Sequence, residues 1–131
     1  MIAKKYPQLI EKLVVISGNY KVEGVKKWLR NILKFIINIL MPFSKYFNLV
    51  KIQKWKFDLM LDDMGITEID LKQIIKPTLV LCSENDLIYE EHTFDIHRNI
   101  KGSFLKVIKK TNHSNIIFNN EIIKIIDEFL N

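Results

Sequence analysis

A chain of 131 residues is the size of one ordinary domain and can bury about 65–70% of its unfolded surface. With 48% hydrophobic and 27% charged residues it falls in the globular range, outside the disordered and fibrous ones. The net charge of +5 is scattered over Lys4, Lys5, Lys26, Lys27, Lys34, Lys51, Lys54, Lys109 and Lys110, without the basic stripe and interleaved aromatics of a nucleic-acid surface, so nucleic acid is not an expected partner.

The single cysteine, Cys82, lies in an apolar run and reads as a buried structural thiol in a reducing compartment. No N-terminal segment has the layout of a signal peptide. The apolar stretch from Phe35 to Phe43 is broken by Asn38 and Pro42 and falls far short of the ~20 residues of a membrane helix. The expected setting is cytoplasmic, with no membrane span.

In chain order, Ala3–Lys12 reads as the tail of a helix interrupted by Pro7, and Leu13–Ile16 as a short buried strand closed by Ser17-Gly18-Asn19. From Val25 to Leu40 the apolar residues Val25, Trp28, Leu29, Ile32, Leu33, Ile36, Ile39 and Leu40 recur every three or four positions, the period of an amphipathic helix that Pro42 stops. The aromatic-rich stretch Ser44–Met64 predicts one or two more helices, and the two stretches together form an insertion at about 24–66. After Gly65, Leu71–Ile75 predicts a helical turn, and Pro77–Cys82 a strand buried on both faces, ending in Ser83-Glu84-Asn85-Asp86. Glu90–Ile100 predicts a helix with Phe94 and Ile96 inward, broken by Gly102. Phe104–Ile108 is the next strand and leads into Thr111-Asn112-His113-Ser114. A closing helix capped by Asn119 or Asn120 places Ile122, Ile123, Ile126, Phe129 and Leu130 on one face. This alternation of strands and helices predicts an α/β fold with a parallel sheet, because parallel neighbours need crossover connections.

In an open parallel sheet, polar side chains at the carboxyl ends of strands meet in one crevice, and Asp86 and His113 occupy that place on consecutive strands. Their separation of 27 residues fits a loop, a helix of ~10 residues running back and a strand of ~5 returning. A carboxylate against an imidazole fixes its tautomer and stabilises the imidazolium, which makes the ring a general base. Such a base needs a nucleophile, yet none of Ser17, Ser44, Ser83, Ser103 and Ser114 sits in a G-x-S-x-G turn. From the residues alone, the plainer account of Asp86 is a loop carboxylate, and of His113 a surface or helix-start residue.

Almost the whole chain resembles the C-terminal half of the α/β-hydrolases. Ala3-Lys4-Lys5-Tyr6-Pro7 with Lys12–Ser17 is similar to that family's helix after the nucleophile elbow and its sixth strand. Asp70–Ile74 with Pro77–Leu81 and Glu84-Asn85-Asp86 resembles the seventh strand and its acid turn, with Glu91-His92-Thr93 following as in several bacterial members. Phe104–His113 resembles the eighth strand and the histidine loop, and Phe129-Leu130 the closing helix. The resemblance implies a partial α/β-hydrolase fold over 1–131 with a helical cap at about 24–66, Asp86 and His113 as catalytic acid and base, no cofactor and no metal. It also implies a small-molecule acyl substrate, of ester or similar type.

The chain departs from the family, which usually has glycine three residues before the acid and near the histidine, where Ser83 and Lys110 stand three residues before Asp86 and His113. The nucleophile elbow would lie roughly ten residues before Met1, so the serine is expected from a partner chain or a missing N-terminal half, or the chain self-associates. Other chemistries of the fold, such as dehalogenation with an aspartate nucleophile, stay open on fold alone, as does a truncated remnant or accessory subunit that binds without catalysing. His92 and His97, five residues apart, lack the i, i+4 spacing of a metal pair. A receiver-like reading of Asp86 lacks the paired early acidic residues.

Overall fold

In the computed structural model, which describes residues 2–40, 58, 61–62 and 64–131, three parallel strands form one sheet in the order β1 (Leu13–Ile16), β2 (Thr78–Asn85), β3 (Phe104–Asn112). The helices are α1 (Ile2–Lys5), α2 (Lys27–Leu40), α3 (Glu68–Lys72), α4 (Glu90–Asn99) and α5 (Asn120–Leu130). The further helices expected over 44–64 fall almost entirely outside the described residues.

β2 is the central strand, and Thr78 to Ser83 are all buried, which is why its sequence runs apolar without alternation. Leu13 to Ile16 pair with Thr78 to Leu81 on one side, and Phe104 to Ile108 pair with Leu79 to Ser83 on the other. Successive side chains of a strand point to opposite faces, and the core divides accordingly. Val80 packs with Tyr20, Leu71, Ile74, Ile96 and Ile100 beneath α3 and α4, whereas Leu79 and Leu81 pack with Ile108, Ile116 and Ile122 beneath α5. Cys82 is buried as expected, and burial pushes its thiol up to about 11.

Helix faces differ from the predicted ones in detail. α4 turns Thr93, Ile96 and Ile100 inward while Phe94 is only half-buried, because the three-then-four spacing of the first set tracks one face. α5 is capped by Asn119, whose side chain accepts the Glu121 N–H at 2.8 Å, and packs through Ile122, Ile125, Ile126 and Phe129; Ile123 and Leu130 face solvent. α3 starts at Glu68, three residues earlier than the apolar pattern suggested. There Thr67 and Asp70 form a reciprocal capping box that satisfies two otherwise unpaired N–H groups.

Gly24 is where the chain is strapped onto α4. A Cβ there would come within 2.6 Å of the His92 ring and the Asn19 side chain, so only glycine fits. The strap continues with Tyr20 stacked on His92 at 4.5 Å and an antiparallel bridge between Val25 and Ile88.

β1 has no partner on its outer side among the described residues, and all four of its residues are only half-buried. Beside it runs an apolar groove of about 420 Å³ lined by Ile2, Leu13, Val15, Tyr20, Leu71 and Ile96, among others. An apolar, β-branched strand with an unpaired edge is a template for another chain. The 131-residue chain is therefore expected to self-associate at micromolar concentration, and Val15→Lys to weaken that association; light scattering that gives a monodisperse 15.6 kDa particle for the unsubstituted chain would contradict this.

Candidate active site

The three strands end side by side, and a polar side chain from each ending meets the others. Asp86 follows β2 and is 5% exposed. Its Oδ1 lies 2.7 Å from His113 Nδ1 and accepts the Ile88 N–H at 3.2 Å; its Oδ2 accepts the Ser17 hydroxyl at 2.5 Å and the Ser83 N–H at 3.1 Å. Burial alone would raise this carboxyl. The donors from His113, Ser17, Ile88 and Ser83 outweigh it and hold Asp86 well below the usual carboxylate range.

An ionised Asp86 accepts at both oxygens, so the Nδ1 proton resides on His113 and the second ring nitrogen, Nε2, is left to take a proton from elsewhere. The hydrogen bond to Asp86 raises the imidazole against the opposing effect of burial. About a third of the His113 side chain, 34%, remains exposed, so the ring is reachable.

The loops that bring these groups together are built by side chains. Ser17, with φ of +47°, continues the ladder through its N–H to the Leu81 carbonyl at 2.8 Å, then turns its hydroxyl to the acid. It is a partner of the acid. In the histidine loop, Asn112 Oδ1 accepts the N–H groups of Ser114 and Asn115, while Asn115 Oδ1 accepts the Asn112 N–H at 2.7 Å. Sequence reasoning passed over Ser17, Asn112 and Asn115; the asparagine at each end of a four-residue stretch around His113 was the available signal, since such side chains close turns on the backbone.

Of the two positions where glycine was expected, only Lys110 takes a left-handed conformation, with φ of +57°. Ser83 stays within β2, buried, and its hydroxyl has no hydrogen-bond partner.

The acid loop also anchors α2. Lys26 N–H donates to the Leu87 carbonyl at 3.0 Å, Tyr89 N–H to the Gly24 carbonyl at 2.8 Å, and Lys27 N–H to the Tyr89 hydroxyl at 3.1 Å. From there α2 buries Leu33 and leaves Trp28, Ile32, Phe35 and Ile39 exposed along one stripe. Neither Asp86 nor His113 lines the apolar groove beside β1. Among the described residues no three His, Cys, Asp or Glu side chains gather as a metal site, and no helix is long and apolar enough to cross a membrane.

No family model and no curated protein matches the chain. Solved structures do match. An α/β-hydrolase from a Medee basin deep-sea metagenome library superposes with a TM-score of 0.68 at 18% identity, over 98% of this chain and 58% of its own. The chain carries part of an α/β-hydrolase fold. The meta-cleavage product hydrolase of Pseudomonas fluorescens IP01 gives a TM-score of 0.67 at 16% identity, over 98% of this chain and 58% of its own. A carboxylesterase of Bacillus subtilis gives 0.64 at 15%, over 97% and 53%. The chain thus spans little more than half the length of the structures it matches.

The two titrations set a pH window for the pair. Asp86, depressed, contributes stability above its ordinary value of 3.8 that is lost on acidification; His113, raised, contributes stability that is fully present below 6.5 and lost as pH rises through its folded value. Replacing His113 with Ala should therefore cost most between about pH 4 and 6.5, on the order of 1 kcal/mol after allowance for the exposed part of the ring, and clearly less at pH 9. Urea unfolding across this range checks it; a deficit that is constant or grows toward pH 9 would mean the pair does not titrate as described.

Proposed function

We propose that this chain supplies the acid and base of a serine-hydrolase triad acting on ester or similar acyl substrates, with Asp86 orienting His113 and His113 serving as general base and then general acid. The observation that carries the reading is the 2.7 Å contact between a buried Asp86 and a partly exposed His113 at the carboxyl end of a parallel sheet. Names among the matched structures point the same way, since they include a carboxylesterase and an enol-lactonase.

In the proposed reaction a serine hydroxyl from outside these 131 residues attacks the acyl carbon while His113 Nε2 removes its proton, and Asp86 stabilises the imidazolium. His113 then returns the proton to the leaving alkoxide, and the same base activates water to release the acid. Ser17, the serine at the end of β1, is committed to Asp86 and does not take the nucleophile's part. Residues 24–66 act as the cap. The exposed stripe of Trp28, Ile32, Phe35 and Ile39 supports that role, because an acyl chain is sheltered best by apolar side chains. The partner is a nucleophile-bearing half of the same fold, and the single buried thiol Cys82 fits a cytoplasmic setting.

The 131-residue chain alone should hydrolyse short p-nitrophenyl esters no faster than free imidazole, because a base without a positioned nucleophile or oxyanion hole forgoes most of the rate enhancement. Joined to a half carrying G-x-S-x-G, it should become an esterase in which Asp86→Asn and His113→Ala each lower turnover by roughly 10³–10⁴. Saturable turnover by the lone chain that survives His113→Ala would refute the mechanism, and full activity of the joined Asp86→Asn protein would remove the acid from it.

A further inference from the structure

Glu84 stands where the ladder between β2 and β3 breaks. Ser83 pairs with Ile108 and Asn85 with Asn112, so the single residue Glu84 faces Lys109, Lys110 and Thr111. Extra residues in one strand bend it and re-aim the side chains beyond, and here the side chain beyond is His113. With ladder bonds lost, two side chains close the bulge. The buried Thr111 hydroxyl donates to the Ile108 carbonyl at 2.7 Å, and the Glu84 carboxylate accepts the Lys110 N–H at 2.9 Å. Lys110 has the left-handed φ of +57° that a side-chain-bearing residue adopts only when its surroundings impose it.

We propose that Glu84 is a positioning residue for the acid–base pair, holding the left-handed turn at Lys110 and thereby setting His113 against Asp86. The inference rests on reading Asp86 and His113 as the working pair, and it assigns a task to a residue two positions from the acid that is hydrogen-bonded to neither member. Thr111 fixes the start of the bulge from within β3 and the two asparagines fix the loop after it. The Glu84 contact ties the bulge across to β2, the strand that leads into Asp86. Glu84 is exposed, so its effect lies in the alignment of His113 and not in the stability of the sheet.

The test is the titration midpoint of the His113 ring, followed by NMR in the 131-residue chain, a readout independent of any catalytic activity. Glu84→Ala should lower the midpoint by about half a pH unit or more, because a looser contact with Asp86 forfeits part of the raise, while thermal unfolding shifts by less than about 3 °C. Glu84→Gln, whose amide oxygen can still accept the Lys110 N–H, should stay near the unsubstituted midpoint. Adding Lys110→Gly to Glu84→Ala should restore the midpoint, since glycine holds the left-handed turn unaided. Should Glu84→Ala fail to fold, Glu84→Asp reads the same contact, keeping the charge but falling one methylene short. An unchanged midpoint in Glu84→Ala, an equal fall in Glu84→Gln, or no recovery with Lys110→Gly would each overturn the proposal, the second by showing that charge alone is at work.

Discussion

A carboxylate taken almost wholly out of water stays ionised only where donors replace its hydration, and much of this structure serves that one requirement at Asp86. Its four donors come from the end of β1, from β2 itself, from the acid loop and from the loop after β3. The acid is therefore satisfied only when all three strands are in register. The pairing of Ile16 with Leu81 delivers Ser17, and the bulge opposite Glu84 delivers His113. Packing of Val80 on one face and Leu79 and Leu81 on the other fixes the strand from which the acid projects. In this way the core and the site are one construction.

The division between what could and could not be read from the residues follows the range of the forces involved. β2 was legible because a strand covered on both faces must be apolar throughout, and Thr78 to Ser83 are buried throughout. Asp86 and His113 were legible as strand-end residues, since the parallel topology sends both to the same edge of the sheet. The length of β3 was not: it runs on to Asn112 through a bulge whose closure depends on Thr111 and Glu84, contacts between residues up to 26 positions apart. Ser17 was invisible as a partner of the acid for the same reason, its contact spanning 69 positions. Helix faces went astray by one or two residues at Phe94, Ile123 and Leu130, because apolarity alone does not say which of two adjacent residues the neighbouring layer covers. The start of α3 was set by Thr67 and Asp70 and not by the apolar pattern.

The same sheet leaves two apolar surfaces without cover among the described residues: the groove beside β1 and the outer stripe of α2. They differ in place. The groove belongs to the layer beneath α3 and α4, on the side where β1 lacks a neighbour, and the stripe belongs to the helix strapped to the acid loop by Lys26, Lys27 and Tyr89. The chain covers little more than half of the structures it resembles, and it already brings Asp86 against His113.

The central claim is that the acid–base pair is assembled within this chain and needs no other part of the fold. The most direct measurement is the tautomer of His113, read from the ¹⁵N resonances of its ring above the titration midpoint in the isolated 131-residue chain. The account predicts a ring protonated at Nδ1 and bare at Nε2, shifting to a mixture of tautomers in Asp86→Asn. A ring already mixed, or protonated at Nε2, in the unsubstituted chain would contradict it.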